Sequence, residues 1–149
     1  MTVDFELKKS PAYRVATFSW KGSWNEGRIR REFEALANWA KTRKVRVGRW
    51  IFTERSQRAF TVALELKGRA SGDGKVRVRT LPSTRVASVV FDPDAVSPRV
   101  VYHGLSDWLR WRKKDGEIRR VVSSREVYGG NPWKDPTAWA RTEVQFVVK

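Results

Sequence analysis

The 149-residue chain contains no cysteine and a single histidine, His103. These absences exclude disulfides, thiol chemistry and the usual Cys/His zinc sites. A Ser-His-Asp arrangement would need His103 as its base, and nothing in the sequence places His103 beside a serine nucleophile. The phosphate-binding patterns GxxxxGK[ST] and GxGxxG are missing as well. We therefore expect no metal and no cofactor.

Long apolar runs are also absent. No uninterrupted apolar segment approaches the roughly 20 residues that span a bilayer. The chain opens with Val3–Glu6 and lacks the charged start and apolar core of a secretory signal. Because 40% of the residues are hydrophobic and eight are tryptophan, a packed core is expected. The sequence predicts one cytoplasmic domain without membrane contact, as a monomer or homodimer.

Acidic residues are few: 16 aspartates and glutamates face 31 lysines and arginines, which gives a formal charge of +15. Such an excess attracts polyanions, so nucleic-acid binding is one alternative function. No recognised nucleic-acid motif is present, and the charge is scattered along the chain. Glutamine, asparagine and methionine are scarce, which favours a thermostable protein with a basic surface. The main basic stretches are 28–31, 41–49, 77–79 and 110–120.

The first half of the chain alternates strand and helix signals. Val3 to Lys8 is predicted as an edge strand, and 13–20 as a second strand. Ser23 or Asn25 caps a predicted helix from about Glu26 to Arg43. A short apolar piece follows at 50–52, and two further strands are predicted at 60–66 and 76–80.

The second half repeats this plan. A strand from Thr84 to Phe91 precedes a helix that begins at Ser97-Pro98 and runs to about Lys114. Two strands follow, one around Glu126 and one at 142–148. Each half therefore reads as strand, helix, strand, strand. The sequence predicts a single α+β domain over 1–149, built from repeats of about 1–80 and 81–149.

Two glutamates and a tyrosine lie on the last two predicted strands. Side chains alternate between faces, so Glu126 and Tyr128 point the same way. In the last strand Val144 and its even-numbered neighbours form the core face, which leaves Glu143 and Gln145 on the other. Glu126, Tyr128 and Glu143 are therefore predicted to share one sheet surface, provided that the registers allow it. The alternative is that Glu126 pairs with a neighbouring arginine and Tyr128 only covers the sheet.

Motifs along nearly the whole chain resemble the GyrI-like family, a small-molecule-binding domain also attached to AraC-type and MerR-type regulators. The motifs that carry the resemblance are Leu36–Trp39, Phe60–Leu64, Thr80–Pro82, Tyr102–Leu105, Arg125–Tyr128, Asn131–Pro132 and Thr142–Gln145. The resemblance implies two βαββ repeats related by a pseudo-two-fold axis. It also implies one concave antiparallel sheet of eight strands, with helices on the convex face.

The family resemblance further implies a cleft between the repeats for hydrophobic, often cationic, compounds. Glu126 and Tyr128 match the family's E-x-Y, and Glu143 matches its T-E-[IV]-Q. Phe60-Thr61 stands where many members have Tyr-Glu, so this acid is missing from the first repeat. No helix-turn-helix precedes the domain, so we expect a stand-alone member of the multidrug or effector-binding type.

Aromatic residues for such a cleft come from two places. Trp20 and Trp24 flank the turn before the first helix and are predicted at the cleft rim. Trp133 and Trp139 lie between the last two strands, where a lid is predicted. Tryptophan and tyrosine faces attract organic cations by roughly 0.5–2 kcal/mol per contact.

Hydrolysis is a further alternative. Some GyrI-like members resemble hydrolases that open strained cyclopropane rings in DNA-alkylating natural products. Glu126 and Glu143 would then position or deprotonate a water, and Tyr128 would orient the electrophile.

Overall fold

The computed structural model describes residues 3–149, and these fold into eight strands and three helices. The elements in chain order are β1 (Glu6–Ser10), β2 (Tyr13–Lys21), α1 (Glu26–Thr42), β3 (Val47–Ser56), β4 (Ala59–Leu66), β5 (Arg77–Leu81), β6 (Thr84–Phe91), α2 (Pro98–Lys114), β7 (Val121–Tyr128), α3 (Pro136–Ala140) and β8 (Thr142–Val148). The predicted α+β class is confirmed. None of the helices within the described residues is both long and apolar enough to cross a bilayer.

The strands form one antiparallel sheet in the order β1-β6-β8-β7-β3-β4-β2-β5. The element order strand, strand, helix, strand, strand occurs twice, over 6–66 and 77–148, and the second unit has the short helix α3 added between its last two strands. The two units meet where β3 pairs with β7 at the centre of the sheet. The first strand of each unit pairs with the second strand of the other unit, β1 with β6 and β5 with β2. Neither unit therefore has a complete sheet of its own.

Two short links force the sheet to curl. β1 and β2 are six strand positions apart, which is roughly 29 Å in a flat sheet at about 4.8 Å per strand. Ser10 and Tyr13 are only three residues apart, which allows about 10 Å. The β5–β6 link spans the same number of positions, and its Ser83 Oγ donates to the Ser10 carbonyl at 2.8 Å. These links lie on the face without helices, where Ser10 contacts Arg125 of β7. That face is therefore concave, and the helices cover the convex face, as expected.

The long helices cover separate halves of the convex face. α1 begins at Asn25, whose Oδ1 accepts from the Arg28 amide at 3.0 Å. α2 begins at Ser97, which makes no side-chain capping bond, so Pro98 at the first turn is the effective part of the predicted start signal. α1 packs on β2, β3 and β4, whereas α2 packs on β6 and β8. The two cores are distinct, and a seam runs between them over β3 and β7.

Candidate functional site

The register of β7 and β8 separates the two predicted acids. Glu126 stands opposite Val144, and Val127 stands opposite Glu143. Residues that face each other in an antiparallel pair lie on the same side of the sheet. Glu126 is therefore on the convex face and Glu143 on the concave face. The prediction that Glu126, Tyr128 and Glu143 share one surface is wrong for Glu143 and holds for the other two.

Glu126 lies at the seam between the two cores, held by two tyrosines. The Tyr128 hydroxyl donates to Glu126 Oε2 at 2.6 Å, and the Tyr102 hydroxyl, from α2, donates to Oε1 at 3.0 Å. Burial raises the pKa of both tyrosines, and the nearby Glu126 charge raises it further. Both phenols therefore remain protonated donors at neutral pH, and both belong to the second unit, Tyr102 on α2 and Tyr128 on β7.

Glu54 of β3 adds a second acid to the same place. Because Phe52 pairs with Glu126, and Glu54 follows Phe52 by two residues, Glu54 is on the same face and diagonal to Glu126. Burial raises the pKa of Glu54, and the Glu126 charge raises it further. We call Glu54, Tyr102, Glu126 and Tyr128 the seam cluster.

The seam cluster has no cationic partner. Within residues 3–149, no lysine or arginine nitrogen lies within 4.0 Å of the Glu54 or Glu126 carboxylate. The alternative in which Glu126 pairs with a neighbouring arginine is therefore wrong. Two half-buried carboxylates without a counter-ion form a site that favours a positively charged ligand.

Aromatic rings surround the cluster. Trp139 of α3 stacks on Tyr128, with ring centroids 6.5 Å apart and planes at 7°, and Phe146 of β8 packs on Tyr102 at 5.9 Å. The Trp139 indole nitrogen donates to Asp94 Oδ1 at 3.1 Å and so fixes the β7–β8 connection to the segment before α2. Trp133 lies 5.8 Å from Phe33 of α1. In the predicted lid segment, Trp139 therefore stacks on Tyr128 of the cluster, whereas Trp133 packs on Phe33 of α1.

Trp20 and Trp24 have other environments. Trp20 is buried in the α1 core, where its ring lies 5.8 Å from that of Phe60 and below the Arg28 guanidinium. Trp24 is 59% exposed. Neither is among the contacts that the structure describes for Glu126. The structure therefore does not bring these two tryptophans to the seam cluster.

Glu143 belongs to a polar network on the concave face. Its Oε2 accepts from Gln145 Nε2 at 2.6 Å and from Ser88 Oγ at 2.7 Å, and it pairs with Lys8 Nζ at 2.9 Å. Burial alone would raise the pKa of Glu143, but these hydrogen bonds and the Lys8 charge outweigh it and hold the pKa below its usual value. This carboxylate is already neutralised by the protein.

Three residues of the site escaped the sequence analysis, namely Glu54, Tyr102 and Phe146. A signal existed for Glu54, because alternation after Trp50 and Phe52 puts this acid on an apolar strand face. Tyr102 stood only within the family motif Tyr102–Leu105 and was given no role, since sequence does not show which strand the helix covers. In the part of the chain that the structure describes, no group of three acidic or histidine side chains is arranged to hold a metal ion.

Comparison with solved structures finds the same fold in several other proteins. The structure matches the EcmrR C-terminal domain with a TM-score of 0.75 and 18% identity, over 100% of this chain and 99% of that one. It matches SAV2435 bound to tetraphenylphosphonium with a TM-score of 0.57 and 12% identity, over 98% and 94%. It matches a hydrolase encoded by lin2189 from Listeria innocua with a TM-score of 0.65 and 12% identity, over 97% and 91%. At these identities the matches show the fold alone.

Sequence comparison with curated proteins finds no match. The model of the family described as the GyrI-like small molecule binding domain matches residues 4–149, which is nearly the whole chain. The two repeats, the curled sheet and the cluster at the seam thus belong to a GyrI-like small-molecule-binding domain.

Proposed function

We propose that the seam cluster binds a hydrophobic aromatic cation, which the protein sequesters or senses as an effector. The observation that carries this proposal is the Glu54–Glu126 carboxylate pair, which has no cationic partner among the described residues and lies between two apolar cores. Burial raises the pKa of Glu54 and repulsion from Glu126 raises it further, and a bound cation would counteract both effects.

The aromatic neighbours suit the same ligand. The faces of Tyr128, Trp139 and Phe146 offer cation–π contacts of roughly 0.5–2 kcal/mol each. The tyrosine hydroxyls hold the Glu126 carboxylate in place, so its charge is positioned before the ligand arrives. The charge of Glu126 and the aromatic faces would therefore act together on the same bound ligand.

The net charge of the protein opposes a cation only at a distance. At physiological salt the Debye length is about 8 Å, so most of the +15 charge is screened from a ligand seated on two carboxylates. A relative of the same fold, SAV2435, has been solved with the cation tetraphenylphosphonium. This supports tetraphenylphosphonium as the first ligand to test.

The test is a tryptophan-fluorescence titration with tetraphenylphosphonium, with neutral triphenylphosphine oxide as the control ligand. Glu126→Gln should weaken binding of the cation by about tenfold, which is about 1.4 kcal/mol, and binding of the neutral compound by less than about twofold. The matched control is Glu32→Gln, which removes the same charge from α1 at a site without an ion pair among the described residues. Equal losses for both ligands, or no saturable binding of the cation, would refute the proposal.

Hydrolysis of a strained electrophile is the second candidate, now without Glu143, which lies on the other face. The raised pKa of Glu54 beside Glu126 favours a division of roles, in which Glu54 donates a proton and Glu126 activates a water. Tyr102 and Tyr128 would orient Glu126. Mass spectrometry of a cyclopropane-containing alkylating compound after incubation decides this: catalytic addition of water that Glu126→Gln abolishes supports it, and an unchanged compound refutes it.

A further inference from the structure

The concave face holds a cavity that the seam cluster does not reach. It has a volume of about 410 Å³ and lies between the β5–β6 link and the central strands β3 and β7. Leu81 and Pro82 line it, together with Thr53 of β3 and Arg125 of β7. Its size is within the range of small-molecule sites in proteins, about 300–1,000 Å³.

Three arginines line this cavity: Arg55 of β3, Arg79 of β5 and Arg125 of β7. Through residues 3–149, none of them has a carboxylate oxygen within 4.0 Å. Other basic residues on this face do have such partners, since Lys8 pairs with Glu143 and Arg49 with Glu65. The cavity therefore brings together three guanidinium groups that have no direct carboxylate partner among the described residues.

Arg125 is the most informative of the three, because only 4% of it is exposed. Its Nε donates to Gln145 Oε1 at 2.6 Å and its Nη2 donates to Ser10 Oγ at 2.9 Å, and both acceptors are neutral. Its Nη1 donates to no residue that the structure describes, although the side chain lines the cavity. Burial lowers the pKa of Arg125, and this outweighs the opposing electrostatic effects of Tyr13 and of Glu143, which reaches Arg125 only through Gln145.

The remaining lining is mixed. Threonine and serine hydroxyls, such as those of Thr53 and Ser123, lie beside the arginines, and Ala63, Leu81 and Val147 supply apolar surface. Guanidinium groups match carboxylate and phosphate oxygens in charge and geometry, whereas the apolar surface suits a hydrocarbon or an aromatic ring. We propose that this cavity binds a small amphipathic organic anion, with its carboxylate or phosphate on Arg55, Arg79 and Arg125 and its apolar part against Leu81 and Val147.

This site is separate from the seam cluster and does not depend on the function proposed for it. The two lie on opposite faces of the same strands, because Arg125 and Glu126 are consecutive residues of β7. One face therefore offers unpaired carboxylates and the other offers unpaired guanidinium groups. A ligand of either charge has a place to bind, and each can be tested while the other is left intact.

The test is calorimetric titration of the full chain with octanoate, octyl phosphate and neutral 1-octanol. Arg55 and Arg79 are exposed, so the double variant Arg55→Gln/Arg79→Gln should fold normally. It should bind both anions tenfold or more weakly than the parent protein, with little change for 1-octanol. The control, Arg31→Gln/Arg99→Gln, removes the same two charges from exposed positions outside the cavity and should change the affinity by less than about twofold.

Three results would overturn the proposal. The first is that neither anion binds saturably, and the second is that the two double variants lose equal affinity for the anions. The third is that Arg55→Gln/Arg79→Gln binds octanoate and octyl phosphate as the parent protein does but loses affinity for a single-stranded oligonucleotide. The last result would assign the arginines to nucleic acid instead. Tetraphenylphosphonium binding by Arg55→Gln/Arg79→Gln should match that of the parent protein, so a failure here is distinguishable from a failure at the seam cluster.

Discussion

The hydroxyl of Tyr128 and the carboxylate of Glu126, two residues apart on β7, are joined by a 2.6 Å hydrogen bond at the seam between the two cores. Tyr102 approaches the other carboxylate oxygen from α2. The bond between Tyr128 and Glu126 is local, whereas the bond from Tyr102 ties a helix to the central strands. Removing the Tyr128 hydroxyl therefore tests a bond within β7, and removing the Tyr102 hydroxyl tests the link between α2 and the central strands.

Tyr102→Phe and Tyr128→Phe should each lower the free energy of unfolding by about 1.5–3 kcal/mol, because each removes a hydrogen bond to a charged group. Denaturant unfolding at pH 7 measures this. Tyr13→Phe is the matched control: Tyr13 is also buried, and its hydroxyl has no hydrogen bond to the residues that the structure describes, so the change should stay within about 0.5 kcal/mol. Equal losses of unfolding free energy in Tyr13→Phe and Tyr128→Phe would show that the hydrogen bonds to Glu126 do not stabilise the fold.

Glu54→Gln should stabilise the protein at pH 7 while it weakens binding of tetraphenylphosphonium. The folded-state pKa of Glu54 is raised, so the folded state binds its proton more tightly than the unfolded state does. That contribution to stability is complete below the unfolded pKa of about 4.5 and is lost as pH rises through the folded pKa. The gain from Glu54→Gln should therefore be present at pH 7 and vanish near pH 4. A destabilised Glu54→Gln variant at pH 7 would contradict this.

Glu143→Gln should change the stability of the protein with the opposite sign and the opposite dependence on pH. Because the folded-state pKa of Glu143 is lowered, its contribution to stability is present above the unfolded pKa of about 4.5 and is lost as pH falls through the folded pKa. The variant should lose about 1–3 kcal/mol at pH 7 and little at low pH. It should bind tetraphenylphosphonium as the parent protein does, because Glu143 lies on the concave face. A selective loss of cation binding would show that the seam cluster is not the whole site.

Trp139→Leu should weaken tetraphenylphosphonium binding by about three- to tenfold, since it removes one aromatic face that stacks on Tyr128. The matched control is Trp24→Leu, at a tryptophan that is 59% exposed. Calorimetry is the suitable measurement, because both substitutions change the fluorescence itself. Similar affinities for the two variants would remove Trp139 from the site.

Local sequence signals predicted most of the elements. The bounds of β6 and β8 agree with the structure, and α1 ends within one residue of the predicted position. For β3 the sequence shows only a short apolar piece at 50–52, whereas the strand covers Val47–Ser56, because its ends carry glycine and charged residues that weaken the strand pattern. The short helix α3 was missed, although Asp135 and Pro136 form a recognisable start.

The site was less predictable because it depends on pairing between distant strands. Alternation correctly placed Glu126 with Tyr128, but the relation of Glu126 to Glu143 depends on the β7–β8 register, where a shift of one residue changes the face. From the alternation of side chains alone, Arg125 can be assigned only to one face of β7. Its burial follows from the curl that the short links impose, which no local pattern encodes.

The exchange of first strands between the two units also has a consequence for how the protein folds. Because β1 completes the sheet of the second unit and β5 that of the first, neither half can bury its own edge before the other has formed. Folding and unfolding should therefore be a single cooperative event, despite the internal repetition. The seam and the concave cavity draw residues from both halves, so both sites form only in the complete chain.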